Sequence, residues 1–107
     1  FDGTVAEWLS GALNGKPAGL FTSSGSLHGG QETTLMTMAV PLIHHGMLIV
    51  GVPYSLPELS STTTGGTPYG ASHVTWNRES DRLSDDEIVI ARTLGRRVAE
   101  VARQLSA

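Results

Sequence analysis

A chain of 107 residues with 39% hydrophobic content suffices for one small domain with a modest core. Seven basic residues against ten acidic ones leave a net charge of -3, and no basic cluster stands out, which argues against nucleic acid or a membrane surface as partner. The absence of cysteine excludes disulfide frameworks, thiolate metal sites and redox thiols, and fits a reducing cytosol.

Read in chain order, "TVAE" comes first. It places Thr4 three residues before Glu7, the spacing of a capping box, and predicts a helix from about Val5 to Leu13 closed by Asn14-Gly15 in the left-handed conformation. Lys16-Pro17 forces an extended entry into the apolar run Ala18 to Thr22, read as a strand. After the loop "TSSGSLHGG", the segment Gln31 to His45 carries Leu35, Met38, Ala39 and Leu42 at helical spacing, with Gly46 placed to cap its end. Pro41 lies inside that segment and predicts a kink or an early break.

"MLIVGV", Met47 to Val52, is the longest apolar run. It is far too short to span a membrane and reads as a strand buried on both faces. Strand, helix and strand in so short a stretch predict a parallel crossover. From Pro53 to about Leu83 the chain reads as irregular, a length that points to function or to an oligomer contact. In the last element, "SDDE" offers Ser84 as N-cap and Glu87 as its partner. The predicted apolar stripe is Ile88, Ala91, Gly95, Val98, Ala102 and Leu105, covering one face of a sheet.

Two strands and three helices fall short of a stable doubly wound sheet, so further strands are expected upstream of Phe1. "FDGTVAEW" runs straight into a helix start and reads as the middle of a domain. The whole chain, 1–107, is therefore expected to be the C-terminal portion of one domain.

In open parallel sheets, ligands bind beyond the carboxyl ends of strands, where the glycine-rich loop lies. Glycines at 25, 29 and 30 let the backbone approach a ligand, and the amides opening the next helix point toward it. The loop matches neither G-x-x-x-x-G-K-[ST] nor G-x-G-x-x-G, so a nucleoside-triphosphate site is disfavoured and a flat, polar-edged group such as a flavin ring suits it better. A merely permissive strand-to-helix turn remains open as the plainer reading. The histidines at 28, 45 and 73 share no metal-ligand spacing, and no metal is assigned.

"FTSSGSLHGGQETT", "HHGMLIVGVPYS" and "GGTPYGA", in this order and at these separations, resemble the C-terminal half of the WrbA family from Trp8 onward. The resemblance implies an α/β, flavodoxin-like, doubly wound parallel sheet, of which this chain supplies the C-terminal strands and helices. It also implies an FMN-dependent NAD(P)H:quinone oxidoreductase, cytoplasmic and homotetrameric, with sites shared among subunits. In that family the loop matching Ser23, Ser24, Gly25, Ser26, Leu27, His28 and Gly29 wraps the isoalloxazine ring of FMN. The family's loop is usually threonine-rich, and the serines at 24 and 26 keep hydroxyls there. The family's phosphate-binding loop and a second flavin loop lie in the half that this chain does not contain, and "TWNRESDRL" replaces a glycine-rich segment.

By the same resemblance His44 contacts the flavin, Tyr54 faces the flavin site and Trp8 walls the substrate pocket. His44 and Tyr54 are then the expected donors to the oxygens of a reduced quinone, with NAD(P)H as co-substrate. Each has a plainer alternative: a solvated histidine near a helix end, a packed aromatic with a wet hydroxyl, and a tryptophan buried on its helix's apolar face. A non-catalytic flavin-binding or protein-interaction module, or a purely structural segment, is the alternative to the enzyme. The acidic balance gives no support for direct DNA contact.

Overall fold

The structure, a computed structural model, describes residues 3–75 and 82–106. Eight elements follow in chain order: α1 (Val5–Ser10), β1 (Pro17–Ala18), β2 (Phe21–Ser24), α2 (Gln31–His44), β3 (Leu48–Ile49), α3 (Glu58–Ser61), β4 (Ala71–Val74) and α4 (Asp85–Leu105).

The four short strands amount to one longer strand paired twice along the same edge. β1 pairs with β3 and β2 with β4, both in parallel. The carbonyls of Lys16, Ala18, Leu20 and Ser24 accept from the amides of Leu48, Val50, Ala71 and Thr75, at 2.8 to 3.0 Å. All four acceptors are even-numbered, and alternate carbonyls of an extended chain point to one side. The chain thus pairs through Val50, leaves the sheet, and returns at Ala71 to continue the same ladder. Among the described residues no strand pairs with the opposite edge, and Phe21 beside it is 76% exposed.

The predicted parallel pairing across α2 is present. The strand "ASHV" inside the segment read as irregular is not foreseen by the sequence, because a serine and a histidine interrupt its apolar pattern. The expectation that Met47 to Val52 is buried on both faces holds only for Val50 and Val52, since Leu48 and Ile49 are exposed.

The helices cover the two faces of this ladder. Leu35, Ala39 and Leu42 of α2 pack on Ala18 and Leu20, as the helical spacing predicts. Ile90 and Leu94 of α4 pack on the other face against Val50, Val52 and Ala71. The buried stripe of α4 is therefore rotated from the expected one: Glu87, Ile90 and Leu94 face inward, while Gly95 and Leu105 are exposed. The cause is polar. Glu87 is drawn inward by backbone amides of β4 and the preceding turn, and that sets the helix's rotation.

Helix ends follow local chemistry. α2 runs past Pro41 to His44 without the early break expected there. Its end is closed by Gly46 at φ 77, with Gly46 N–H donating to Ile43 O and Met47 N–H to Leu42 O. This paired pattern is a Schellman motif. A β-carbon on Gly46 would stand 2.4 Å from Asn14 Oδ1. Gly46→Ala should therefore lower stability by about 1 to 2 kcal/mol, as read by urea unfolding.

α1 stops at Ser10, three residues short of the expected Leu13, because Gly11 takes the left-handed conformation first. The capping box expected at Thr4 and Glu7 does not form, and Thr4 Oγ1 lies 2.9 Å from His45 Nε2 instead. At Ser84 the predicted box is complete: Ser84 Oγ accepts from Glu87 N–H and Glu87 Oε1 from Ser84 N–H. Most of "TWNRESDRL" lies outside the described residues.

Candidate functional site

The loop from Ser24 to Gly30 leaves the carboxyl end of β2 and opens α2. Its own contacts are few. Ser24 Oγ donates to Ser26 O at 2.7 Å, and Gly29 N–H to Ser26 O at 3.1 Å. The tight turn favours glycine at 29, where a β-carbon would stand 3.2 Å from Ser26 O and 3.3 Å from Ser26 N and would displace the Ser26 hydroxyl. At Gly25 nothing lies within 4 Å, so this backbone is open to an approaching group.

The loop presents a set of unused donors. No described acceptor meets the backbone N–H of Ser26, Leu27 or His28, and α2 has no side-chain cap on its first turn. Gly30 reaches φ 98 to turn these amides into the helix start. The flavin expectation concerned a flat, polar-edged ligand, and a row of backbone donors suits the acceptor atoms on such an edge. Ser23, Gly25, Ser26, Leu27, His28 and Gly29 are exposed and Ser24 half-buried, so all seven expected loop residues are accessible.

A buried polar network holds the loop from behind. Gln31, 2% exposed, donates from Nε2 to Leu27 O at 2.7 Å. Its Oε1 accepts from Ser72 Oγ, and Ser72 Oγ accepts from Gly66 N–H at 2.7 Å. Beside it Glu87, also 2% exposed, accepts from Ser84 N–H, Gly65 N–H and Val74 N–H at 2.7 to 2.9 Å, and from His73 Nδ1 at 3.1 Å. Burial alone would raise the Glu87 pKa. The amides of Ser84 and Val74, the His73 ring and the Gly65 amide outweigh it and hold the carboxyl at about 2.

These residues escape a sequence reading. Glu87 is legible only as a capping partner, and Gln31 only as a helix start. The glycines of "GGTPYGA" have a structural reason: a β-carbon on Gly65 would lie 2.0 Å from Ser72 O, and one on Gly66 2.3 Å from Ile90 Cδ1.

The other expected site residues lie elsewhere. Trp8, 50% exposed, is not buried on its helix as the plainer reading had it. With His44, Val40 and Pro41 it lines a cavity of about 260 Å³. Trp8 and His44 are thus brought together, from α1 and the end of α2. His45 beside them is buried, and its Nδ1 has no described partner.

The loop and His44, however, stand at opposite ends of α2, whose 14 residues span about 20 Å. One copy of the chain does not bring them together. Tyr54 is 66% exposed just after the chain leaves the sheet, and it does not line the Trp8 and His44 cavity. Among the described residues no group of three or more His, Asp or Glu is placed to hold a metal ion, and no helix is long and apolar enough to cross a membrane.

Helices on both faces of a parallel ladder place the chain in the α/β class, in which the region beyond a strand's carboxyl end, where the donor-rich loop lies, is the usual place for a ligand. No family model matches the chain. Curated proteins do. It is 47% identical over 108 residues to an NAD(P)H dehydrogenase (quinone) of Chromohalobacter salexigens, covering 99% of this chain and 54% of that protein. It is 48% identical over 107 residues to one of Syntrophobacter fumaroxidans, covering 98% and 52%. A relative of the same name from Methanosarcina barkeri is 46% identical over 107 residues, covering 98% and 51%. The chain is similar throughout to these proteins named NAD(P)H dehydrogenase (quinone), and it spans about half the length of the curated relatives it matches.

Proposed function

We propose that the chain is the C-terminal portion of a WrbA-like, FMN-dependent NAD(P)H:quinone oxidoreductase. The observation that carries this reading is the row of unused amides at Ser26, Leu27 and His28 beyond the carboxyl end of β2. The name shared by the relatives supports the reaction class. The edge of β2 left unpaired among the described residues supports a larger flavodoxin-like sheet, continued there by strands outside this chain.

The loop amides would hold the acceptor edge of the FMN ring, with Ser23, Ser24, Gly25, Ser26, Leu27, His28 and Gly29 around it. FMN, when bound, supplies the hydride chemistry between NAD(P)H and quinone. The chain's own residues orient the ring, exclude water and supply protons. The side chains of His44 and Tyr54 are the proposed donors to the quinone oxygens, and Trp8 a wall of the substrate pocket.

Because α2 separates loop and histidine by about 20 Å, a flavin ring would meet both only where two copies contribute. This favours a homo-oligomer, a tetramer by the family resemblance. Met36, Val40 and Ile43, exposed along the outer face of α2, are the kind of surface such an assembly covers.

The test is an FMN titration of the full-length protein followed by flavin fluorescence. Saturable quenching, bleaching of the bound flavin by NAD(P)H and recovery of colour with a quinone are the expected results. Quenching without bleaching would leave a non-catalytic flavin module. Tyr54→Phe should slow quinone reduction about tenfold or more while leaving FMN affinity unchanged, and unchanged turnover would remove that role.

A further inference from the structure

The loop's position is set by three hydrogen bonds in series, whose directions are fixed by chemistry. Leu27 O can only accept, so Gln31 must turn its amide nitrogen to it, at 2.7 Å. That leaves Gln31 Oε1 facing Ser72 Oγ, which must spend its one proton there. The hydroxyl's lone pair is then free to accept Gly66 N–H, at 2.7 Å. Gln31 and Ser72 are both buried, so water cannot replace either partner. The series joins the ligand loop to the Gly65–Gly70 turn, which Glu87 and Thr67 hold rigid through Gly65 N–H and the Gly70 carbonyl.

We propose that Gln31 and Ser72 are positioning residues that hold the Leu27 side of the loop in its ligand-binding shape, and so couple that loop to the "GGTPYG" turn. The inference rests on the flavin reading for the identity of the ligand, but not for the mechanics of the loop. The turn thereby acts on the site through two buried side chains, Ser72 and Gln31. Thr75 Oγ1 and N–H hold Ser24 O where the loop leaves β2, but residues 25–30 have no other side-chain tie to the rest of the fold among the described bonds: Ser24 Oγ reaches only Ser26 O, within the loop. Loss of the relay therefore leaves the strands and α4 paired while the loop is released.

Four variants of the full-length protein test this: Gln31→Met, Gln31→Glu, Ser72→Ala and Ser72→Thr. Gln31→Glu keeps size and Oε1 but sets a second oxygen against Leu27 O. Ser72→Thr keeps the hydroxyl and serves as the rescue. Two quantities are read: the FMN dissociation constant by fluorescence quenching, and millisecond hydrogen exchange of the loop's Gly29 amide, which donates to Ser26 O, in the flavin-free protein, with residues 85–105 as internal reference.

The expected result is FMN binding weakened tenfold or more, and loop exchange accelerated fivefold or more, in Gln31→Met, Gln31→Glu and Ser72→Ala. Exchange across α4 stays within twofold of the parent, and Ser72→Thr returns both quantities to the parent's values. Loop exchange unchanged in these three variants would overturn the proposal, as would acceleration shared equally by α4, which marks general destabilisation. If the parent itself fails to bind FMN, the flavin reading falls. Exchange in the flavin-free protein still decides the relay.

Discussion

Replacing Glu87 with Gln should lower the unfolding free energy by about 2 to 5 kcal/mol at pH 7. The carboxylate uses both oxygens: Oε1 accepts from Ser84 N–H and His73 Nδ1, and Oε2 from Gly65 N–H and Val74 N–H. A glutamine amide must turn its nitrogen toward one of these pairs, leaving buried donors opposed by another donor. Because domains of this size are stable by only about 5 to 15 kcal/mol, the effect is large.

The same residue predicts acid sensitivity. Its folded pKa of about 2 lies below the ordinary 4.5, so its contribution is fully present above 4.5 and is lost as pH falls from there toward 2. A shift of this size corresponds to roughly 3 kcal/mol. Urea unfolding of parent and Glu87→Gln at pH 7, 4 and 2.5 checks this. The gap between them should narrow with acid, and a constant gap would show that the carboxylate's charge is not what holds the turn.

Gly65→Ala should be the most damaging substitution of a single hydrogen by methyl. The new β-carbon would stand 2.0 Å from the backbone oxygen of Ser72 and 2.5 Å from Glu87 Oε2. A backbone oxygen inside a paired strand cannot yield, so the turn must lift away and surrender the Gly65 N–H to Glu87 bond. A loss of about 3 kcal/mol or more is expected, with a lowered melting temperature. Gly95→Ala is the control. Nothing lies within 4 Å of its added carbon, in the middle of α4, and it should raise stability by about 0.5 to 1 kcal/mol.

What the sequence made legible was whatever depends on neighbours along the chain. The Ser84 box, the Gly46 stop and the Leu35, Ala39, Leu42 stripe are local patterns, and the structure has all three. What escaped depends on partners distant in sequence. Thr4 had a valid partner in Glu7, yet its hydroxyl went to His45, 41 residues away. The α4 stripe was misplaced because a charged residue, Glu87, faces inward, and its three amide partners come from Gly65, Val74 and Ser84. β4 was missed because its pattern is interrupted by Ser72 and His73, polar residues that belong to the buried network rather than to solvent. At the candidate site, the loop's glycines and hydroxyls signalled an approachable backbone. The separation of that loop from His44 along α2 is a matter of helix length, readable once the helix is seen to pass Pro41 unbroken.

The strand that pairs twice along one edge also bears on how the chain folds and how it can vary. β1 with β3 closes across α2 alone, whereas β2 with β4 must also enclose the excursion from Gly51 to Gly70. Closure entropy grows only with the logarithm of the enclosed length, so the second ladder is harder to close by just about 0.5 kcal/mol. A natural order of assembly follows, in which the near half zips first and templates the register of the far half. Because each half has its own hydrogen bonds to the central strand, residues can be gained or lost between Pro53 and Thr64 without slipping either ladder. The excursion is then the segment through which related chains can acquire new surface while the strand beneath it stays in register.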